Sequence, residues 1–167
     1  VMYTSAALAM RYDADLKKAL LAGLLHDCAK CIPGHTKIKM CKKYNLEISE
    51  IERKNPSLLH AKLGAYLAKD KYDIEDEEIL MAIRSHTTGR PGMSLLEKIV
   101  YIADYMEPGR KELPNMTDVR HLAFEDIDKC LYRILRDSLV YLKAQDMPID
   151  QTTEETYQYY NELYSKH

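Results

Sequence analysis

The segment Ser94-Leu95-Leu96-Glu97-Lys98-Ile99-Val100-Tyr101-Ile102-Ala103-Asp104-Tyr105 carries both a helix and an anomaly. Ser94 is a favoured N-cap, and Glu97 three positions on completes a capping-box pattern, so a helix begins here. Its apolar residues recur at helical spacing, and Leu96, Val100 and Asp104 fall on one face. A carboxylate therefore stands on an apolar stripe. Pro108-Gly109 ends the helix. Upstream, Asp76 to Ser85 reads as a helix started by an acidic cluster that suits the macrodipole, and it stops near Gly89-Arg90-Pro91-Gly92. Asn55-Pro56 marks another start, with Asn as N-cap and Pro at the first helical position; that helix runs to about Asp70. Lys37 to Tyr44 is a short basic helix. Asp13 or Asp15 caps a strongly apolar helix through His26, which Pro33-Gly34 breaks, and Met2 to Arg11 is Ala-rich and helical. Downstream, Thr117 to about Ala144 reads as one long amphipathic helix, and Thr153 to Ser165 as the last. No run alternates at period two for long enough to make a strand. The expectation is an all-α, single-domain helical bundle over residues 1–167.

Composition agrees with that class. The 167 residues are 46% hydrophobic and 30% charged, ordinary for a globular domain and too apolar for disorder. Only 6 Gly and 6 Pro are present, too few for the turns of a sandwich or barrel. The net charge of −2 provides no global basic field for nucleic acid, and no reader motif is visible. No apolar stretch approaches the roughly 20 residues of a membrane span, and no signal peptide is seen. The chain starts at Val1 rather than Met, so an N-terminal piece is expected to be missing. Cys28 and Cys31 form a C-x-x-C pair, but a structural zinc needs four ligands and no second pair exists. Together with Cys41 and Cys130 they read as reduced thiols of a cytoplasmic protein. A homodimer is possible, since Met and Tyr residues could cover a dimer face, though Met stripes more often belong to a core.

The informative residues are ionisable ones on apolar stripes. Asp104 is one. His86 follows Ile79, Ala82 and Ile83 at helical spacing, and His60 precedes Leu63, Gly64 and Leu67 in the same way. His26-Asp27 closes the most apolar helix of the chain. Burying an unpaired carboxylate costs several kcal/mol, roughly, so something must compensate it. Taken singly, each has a plainer reading: a hydrogen-bonded core histidine, a capping aspartate, a chance dipeptide. Taken together, five such groups on four helices point to a metal. Imidazole nitrogens and carboxylate oxygens suit Fe, Mn, Co, Ni or Zn, in one or two ions. A metal with an open position lowers the pKa of bound water and polarises a phosphoryl oxygen. His35, His121 and His167 read as surface residues. The run Lys37, Lys39, Lys42, Lys43 reads as a solvated helix face. Arg84 and Arg90 flank His86 and could serve phosphates or cap a helix end. Tyr101 or Tyr105 could stack on a base, although core packing is the plainer reading of both.

The ordered set His26-Asp27, His60, His86, Asp104 resembles the HD superfamily of metal-dependent phosphohydrolases, whose signature runs H…HD…H…H…D on a helical bundle. Local strings narrow it: Leu24-Leu25-His26-Asp27-Cys28-Ala29-Lys30, Leu59-His60-Ala61, Ser85-His86-Thr87-Thr88-Gly89-Arg90-Pro91-Gly92-Met93, and Ile102-Ala103-Asp104-Tyr105-Met106-Glu107-Pro108-Gly109-Arg110. Over almost the whole chain these are similar to the YqeK group of bacterial symmetrical bis(5'-nucleosyl)-tetraphosphatases. The resemblance implies an iron-dependent enzyme splitting diadenosine tetraphosphate into two ADP. It makes His26, Asp27 and Asp104 metal ligands, with His60 and His86 facing the phosphates directly or through a second metal. Lys30 corresponds to a phosphate-contacting lysine, Thr87 and Arg110 to substrate contacts, and the stretch from Asp146 to Gln151 to a border of the nucleoside. It divides the domain into a metal-site core over about 1–110 and C-terminal helices over about 116–166. One ligand departs from the pattern. The family's first histidine lies upstream of the HD pair, and no histidine precedes His26, so the resemblance puts that ligand just before Val1.

Two other readings stay open at this point. One is another nucleotide phosphohydrolase of the same superfamily, acting on (p)ppGpp or a deoxynucleoside triphosphate. The other is a catalytically inactive helical module that senses nucleotides.

Overall fold

Side-chain caps set most of the helix starts. The computed structural model describes residues 1–110 and 113–164, and ten α-helices lie among them. Asp15 accepts from Lys18 N and opens α2, Leu16–Leu25, after α1, Met2–Arg11. α3 spans Gly34–Lys43, three residues earlier at its start than the sequence suggests. A five-residue helix that sequence reading passes over, α4, Glu50–Lys54, is capped by a reciprocal Ser49–Glu52 box. Asn55-Pro56 starts only a 3-10 turn, Pro56–Leu58, which feeds α5, Leu59–Tyr72. Asp76 caps α6, Glu77–Ser85, through two backbone amides. Ser94 and Glu97 form the expected box at α7, Leu95–Tyr105.

The long downstream helix is two helices, α8, Met116–Glu125, and α9, Ile127–Ala144. Asp126 divides them. Its backbone is extended (φ −148°, ψ 101°) and its carboxylate accepts from Asp128 N and Lys129 N, so it starts α9 as an N-cap. The amphipathic pattern runs on through the break and hides it. α10 spans Gln151–Tyr164; Ser165 and His167 lie outside the described residues. No strand occurs among the described residues, and no helix there is long and apolar enough to cross a membrane.

The main core joins α1 and α2 with α5, α6, α7, α8, α9 and α10 through residues such as Leu8, Ala68, Ile83, Ile99, Leu131 and Ile134, all fully buried. Close approach of α1 and α2 depends on Gly23, where a Cβ would stand 2.8 Å from Ser5 Oγ and 2.9 Å from Met2 Cα. A smaller core of Ala29, Cys41, Leu59, Leu63 and Leu67 ties α3 and α5 together. Tyr101 is buried in the main core, so it packs rather than stacking on a base. The basic face of α3 is solvated at Lys39, Lys42 and Lys43 but not at Lys37. That side chain is buried, and its Nζ donates to Lys30 O at 3.0 Å.

Candidate active site

Helix ends build the site. His26 is the C-cap of α2 and Asp27 follows it; His86 is the C-cap of α6; Asp104 is the penultimate residue of α7. Three helix C-termini, each carrying partial negative charge, thus meet at one place, which suits a cation. His60 comes from the first turn of α5.

One local pattern aims all three rings. His26 Nδ1 donates to Gly23 O at 2.9 Å, His60 Nδ1 to Ser57 O at 2.6 Å, and His86 Nδ1 to Ile83 O at 2.7 Å. Each carbonyl lies three residues back. A carbonyl only accepts, so each ring carries its proton on Nδ1, and a neutral ring is left with a lone pair on Nε2. This tautomer is the one a histidine needs to bind a metal through Nε2.

The Nε2 atoms converge on Asp27. Asp27 Oδ1 lies 3.2 Å from His60 Nε2 and 3.5 Å from His86 Nε2, and Oδ2 lies 3.3 Å from His26 Nε2. His26 Nε2 is also 3.5 Å from Asp104 Oδ1. His60 and His86 face each other Nε2 to Nε2 at 3.1 Å. With neutral rings these are lone pairs facing lone pairs. Accordingly, His26 Nε2 and Asp27 Oδ1 are buried without a hydrogen-bond partner, a state that carries a real cost. His26, Asp27 and His86 each offer one ligand atom within 4.8 Å of the others. Nitrogen and oxygen donors this close, oriented and orphaned, fit a divalent metal.

The protonation behaviour has the same origin. Burial disfavours a charged His26, but the carboxylates of Asp104 and Asp27 outweigh burial and push its pKa up to about 9. Burial likewise opposes a charged Asp27, yet His26, His60, His86 and Lys30 hold its carboxyl well below the usual range. Asp104 is lowered too, with His26 and Arg110 overcoming its burial. A proton on His26 does part of what a metal does: it compensates two partly buried carboxylates.

Lys30, Arg110 and Thr87 lie beside this cluster. Lys30 Nζ lies 2.7 Å from Asp27 Oδ2, and Arg110 Nη2 lies 2.9 Å from Asp104 Oδ1. The Thr87 hydroxyl is 3.2 Å from His86 Nε2 and 3.4 Å from His60 Nε2. Thr87 also lines a neighbouring cavity of about 480 Å3 together with Thr88, Lys62, Arg84 and Asp150. Arg90 turns instead to Glu97, which it grips through Nε at 2.7 Å and Nη2 at 2.6 Å. Cys28 and Cys31 carry free thiols, and Cys28 donates to Gly64 O. Sequence reading missed the tethers behind the site: the three carbonyls, Lys37, and the Ser85–Glu97–Arg90 cluster. Of these, Glu97 left a signal as a capping residue and Arg90 as a residue flanking His86.

Residues 1–109 match the HD domain family. The chain is 41% identical over 157 residues to the symmetrical bis(5'-nucleosyl)-tetraphosphatase of Bacillus subtilis (strain 168), covering 94% of this chain and 83% of that protein. It is 36% identical over 163 residues to the enzyme of the same name from Staphylococcus aureus, covering 96% and 83%. A crystal structure from Clostridium acetobutylicum, described as a predicted HD superfamily hydrolase involved in NAD metabolism, superposes with a TM-score of 0.93. The two are 41% identical in sequence, and the match covers 97% of this chain and 85% of that one.

Proposed function

The chain belongs to the HD domain family, and on that footing we propose that it is a metal-dependent phosphohydrolase cleaving diadenosine tetraphosphate symmetrically to two ADP. The observation that carries the reading is near full-length similarity to enzymes of that activity, with the orphaned donor cluster lying within the matched segment.

In this proposal His26, Asp27 and Asp104 hold the metal. Iron is the first choice, and Mn, Co, Ni or Zn suit the same donors. The metal supplies Lewis-acid polarisation and lowers the pKa of water near neutrality. The remaining work falls to the protein. Lys30 is a point charge for a phosphate, and Arg110, already anchored on Asp104, has further N–H donors for phosphate oxygens. His60 and His86 face the phosphates with their Nδ1 protons committed to carbonyls, so any proton they give or take moves at Nε2. The Thr87 hydroxyl, between those rings, can donate to a phosphate oxygen or accept from a protonated Nε2. Water adds to one of the two inner phosphorus atoms, the bridging P–O bond between them breaks, and each half leaves as ADP. The cations offset charge on the equatorial oxygens as it develops.

The test is turnover of diadenosine tetraphosphate with added Fe(II) or Mn(II), with products separated by ion exchange. Two ADP, lost in Asp104→Ala, is the expected result. ATP plus AMP would overturn symmetrical cleavage. Turnover of (p)ppGpp or a deoxynucleoside triphosphate alone would overturn the substrate, and bound metal with no turnover of any nucleotide would favour a sensor.

A further inference from the structure

We infer that Glu97 is a positioning residue for His86, resting on the phosphohydrolase reading above. Its side chain is 1% exposed, the most deeply buried acid among the described residues. Oε1 accepts from Arg90 Nε at 2.7 Å and from Ser85 Oγ at 2.9 Å, whose single proton is shared with Met81 O at 2.9 Å; Oε2 accepts from Arg90 Nη2 at 2.6 Å and Ser94 N at 2.8 Å. Those partners are the residue before His86, the middle of the α6–α7 loop, and the N-cap of α7. One carboxylate therefore ties both ends and the centre of the loop that carries His86 and Thr87.

A capping role alone does not require this. Glu52 completes the same box at α4 with Ser49, and it takes its cation, Lys62, from α5 rather than from the loop it caps. Glu97 instead spends three of its four bonds on Ser85 and Arg90. The loop is also backed by α10. Tyr160 Oη accepts from Met93 N at 2.9 Å, and at Gly89 (φ +66°) a Cβ would stand 2.8 Å from Thr156 Cγ2. The loop is thus clamped on two sides, with Glu97 on the side nearest His86. Since His86 Nε2 must sit 3.1 Å from His60 Nε2 and 3.5 Å from Asp27, a small shift of the turn would misplace it.

The test compares Glu97→Gln with Asp126→Ala, a loss of the α9 cap remote from the loop. In the metal-loaded protein, Glu97→Gln is expected to lower kcat by about 10- to 100-fold, with KM and metal content held, because a misplacement near 1 Å can cost about that much. Asp126→Ala is expected to lower Tm and leave kcat alone. In a His86→Ala background, Glu97→Gln should add little further loss, because it acts through that ring. Independent of turnover, amide hydrogen exchange at residues 87–89 should quicken in Glu97→Gln and not in Asp126→Ala. Unchanged kcat and exchange, a KM effect alone, or full multiplicative losses with His86→Ala would overturn the inference. If Glu97→Gln does not fold, Ser85→Ala carries the same test with a smaller expected loss. Should the wild type not turn over diadenosine tetraphosphate, the functional reading fails, and the exchange comparison still decides the role of Glu97.

Discussion

Asp27 Oδ1 and the Glu97 carboxylate are both cut off from water, and their surroundings could hardly differ more. Every bond offered to Glu97 comes from a donor: a hydroxyl, a guanidinium fork and a backbone amide. Asp27 has Lys30 on one oxygen, while its other oxygen faces imidazole nitrogens whose protons are committed elsewhere. A buried charge that is fully paired stabilises one arrangement of the chain. A buried charge with orphaned neighbours costs free energy until a ligand arrives. Local chemistry therefore separates a fully paired acid from one that faces nitrogens without protons to give.

That contrast can be broken by mutation. The largest expected effect is on turnover: on the proposed reading Asp27→Ala removes a ligand of the metal that would polarise the phosphate, and should lower kcat on the order of 10^3-fold. Stability should rank the two acids the other way. Glu97→Ala should destabilise the metal-free protein by about 2–3 kcal/mol in urea unfolding, below the full value for a buried pair because Arg90 is partly exposed. Asp27→Ala should cost the metal-free protein less than Glu97→Ala does, because losing the pairing with Lys30 and His26 is offset by relief of the lone pairs it faces on His60 and His86. Saturating metal at about 100 times Kd should stabilise the wild type by about 2.7 kcal/mol and the Asp27→Ala variant not at all. A wild-type Tm indifferent to metal would erase the distinction.

Acid sharpens the comparison on a smaller scale. Burial opposes ionisation of Glu97, but Arg90, Ser94 and Ser85 keep its folded pKa below the ordinary 4.5. The unfolded chain then takes up the proton first as pH falls. The stabilisation is fully present above 4.5 and is lost as pH drops through the folded value. Glu97→Gln should flatten that acid limb of the Tm profile. The smallest effect expected is at a cap with no link to either acid: Asp126→Ala should cost about 1 kcal/mol and leave metal binding unchanged.

Much of this was legible beforehand, for reasons that differ by residue. Ser94, Glu97, Asp15 and Asp76 announce helix starts because capping is a local interaction, set within three residues. The break at Asp126 was not legible, because an amphipathic stripe continues across it and periodicity outweighs one capping residue. Lys37 looked solvated because a lysine among lysines usually is, and only the fold brings the carbonyl of Lys30 to it.

The sequence by itself determined the helical class, the caps, and which polar residues stand on apolar stripes, because these follow from spacing along one helix. Only the tertiary structure decided that the ends of α2, α5, α6 and α7 meet, that three Nδ1 atoms find carbonyls, and that Glu97 reaches back to Ser85. Those contacts join residues that no helical period relates, and they exist only once the core has brought the helix ends together.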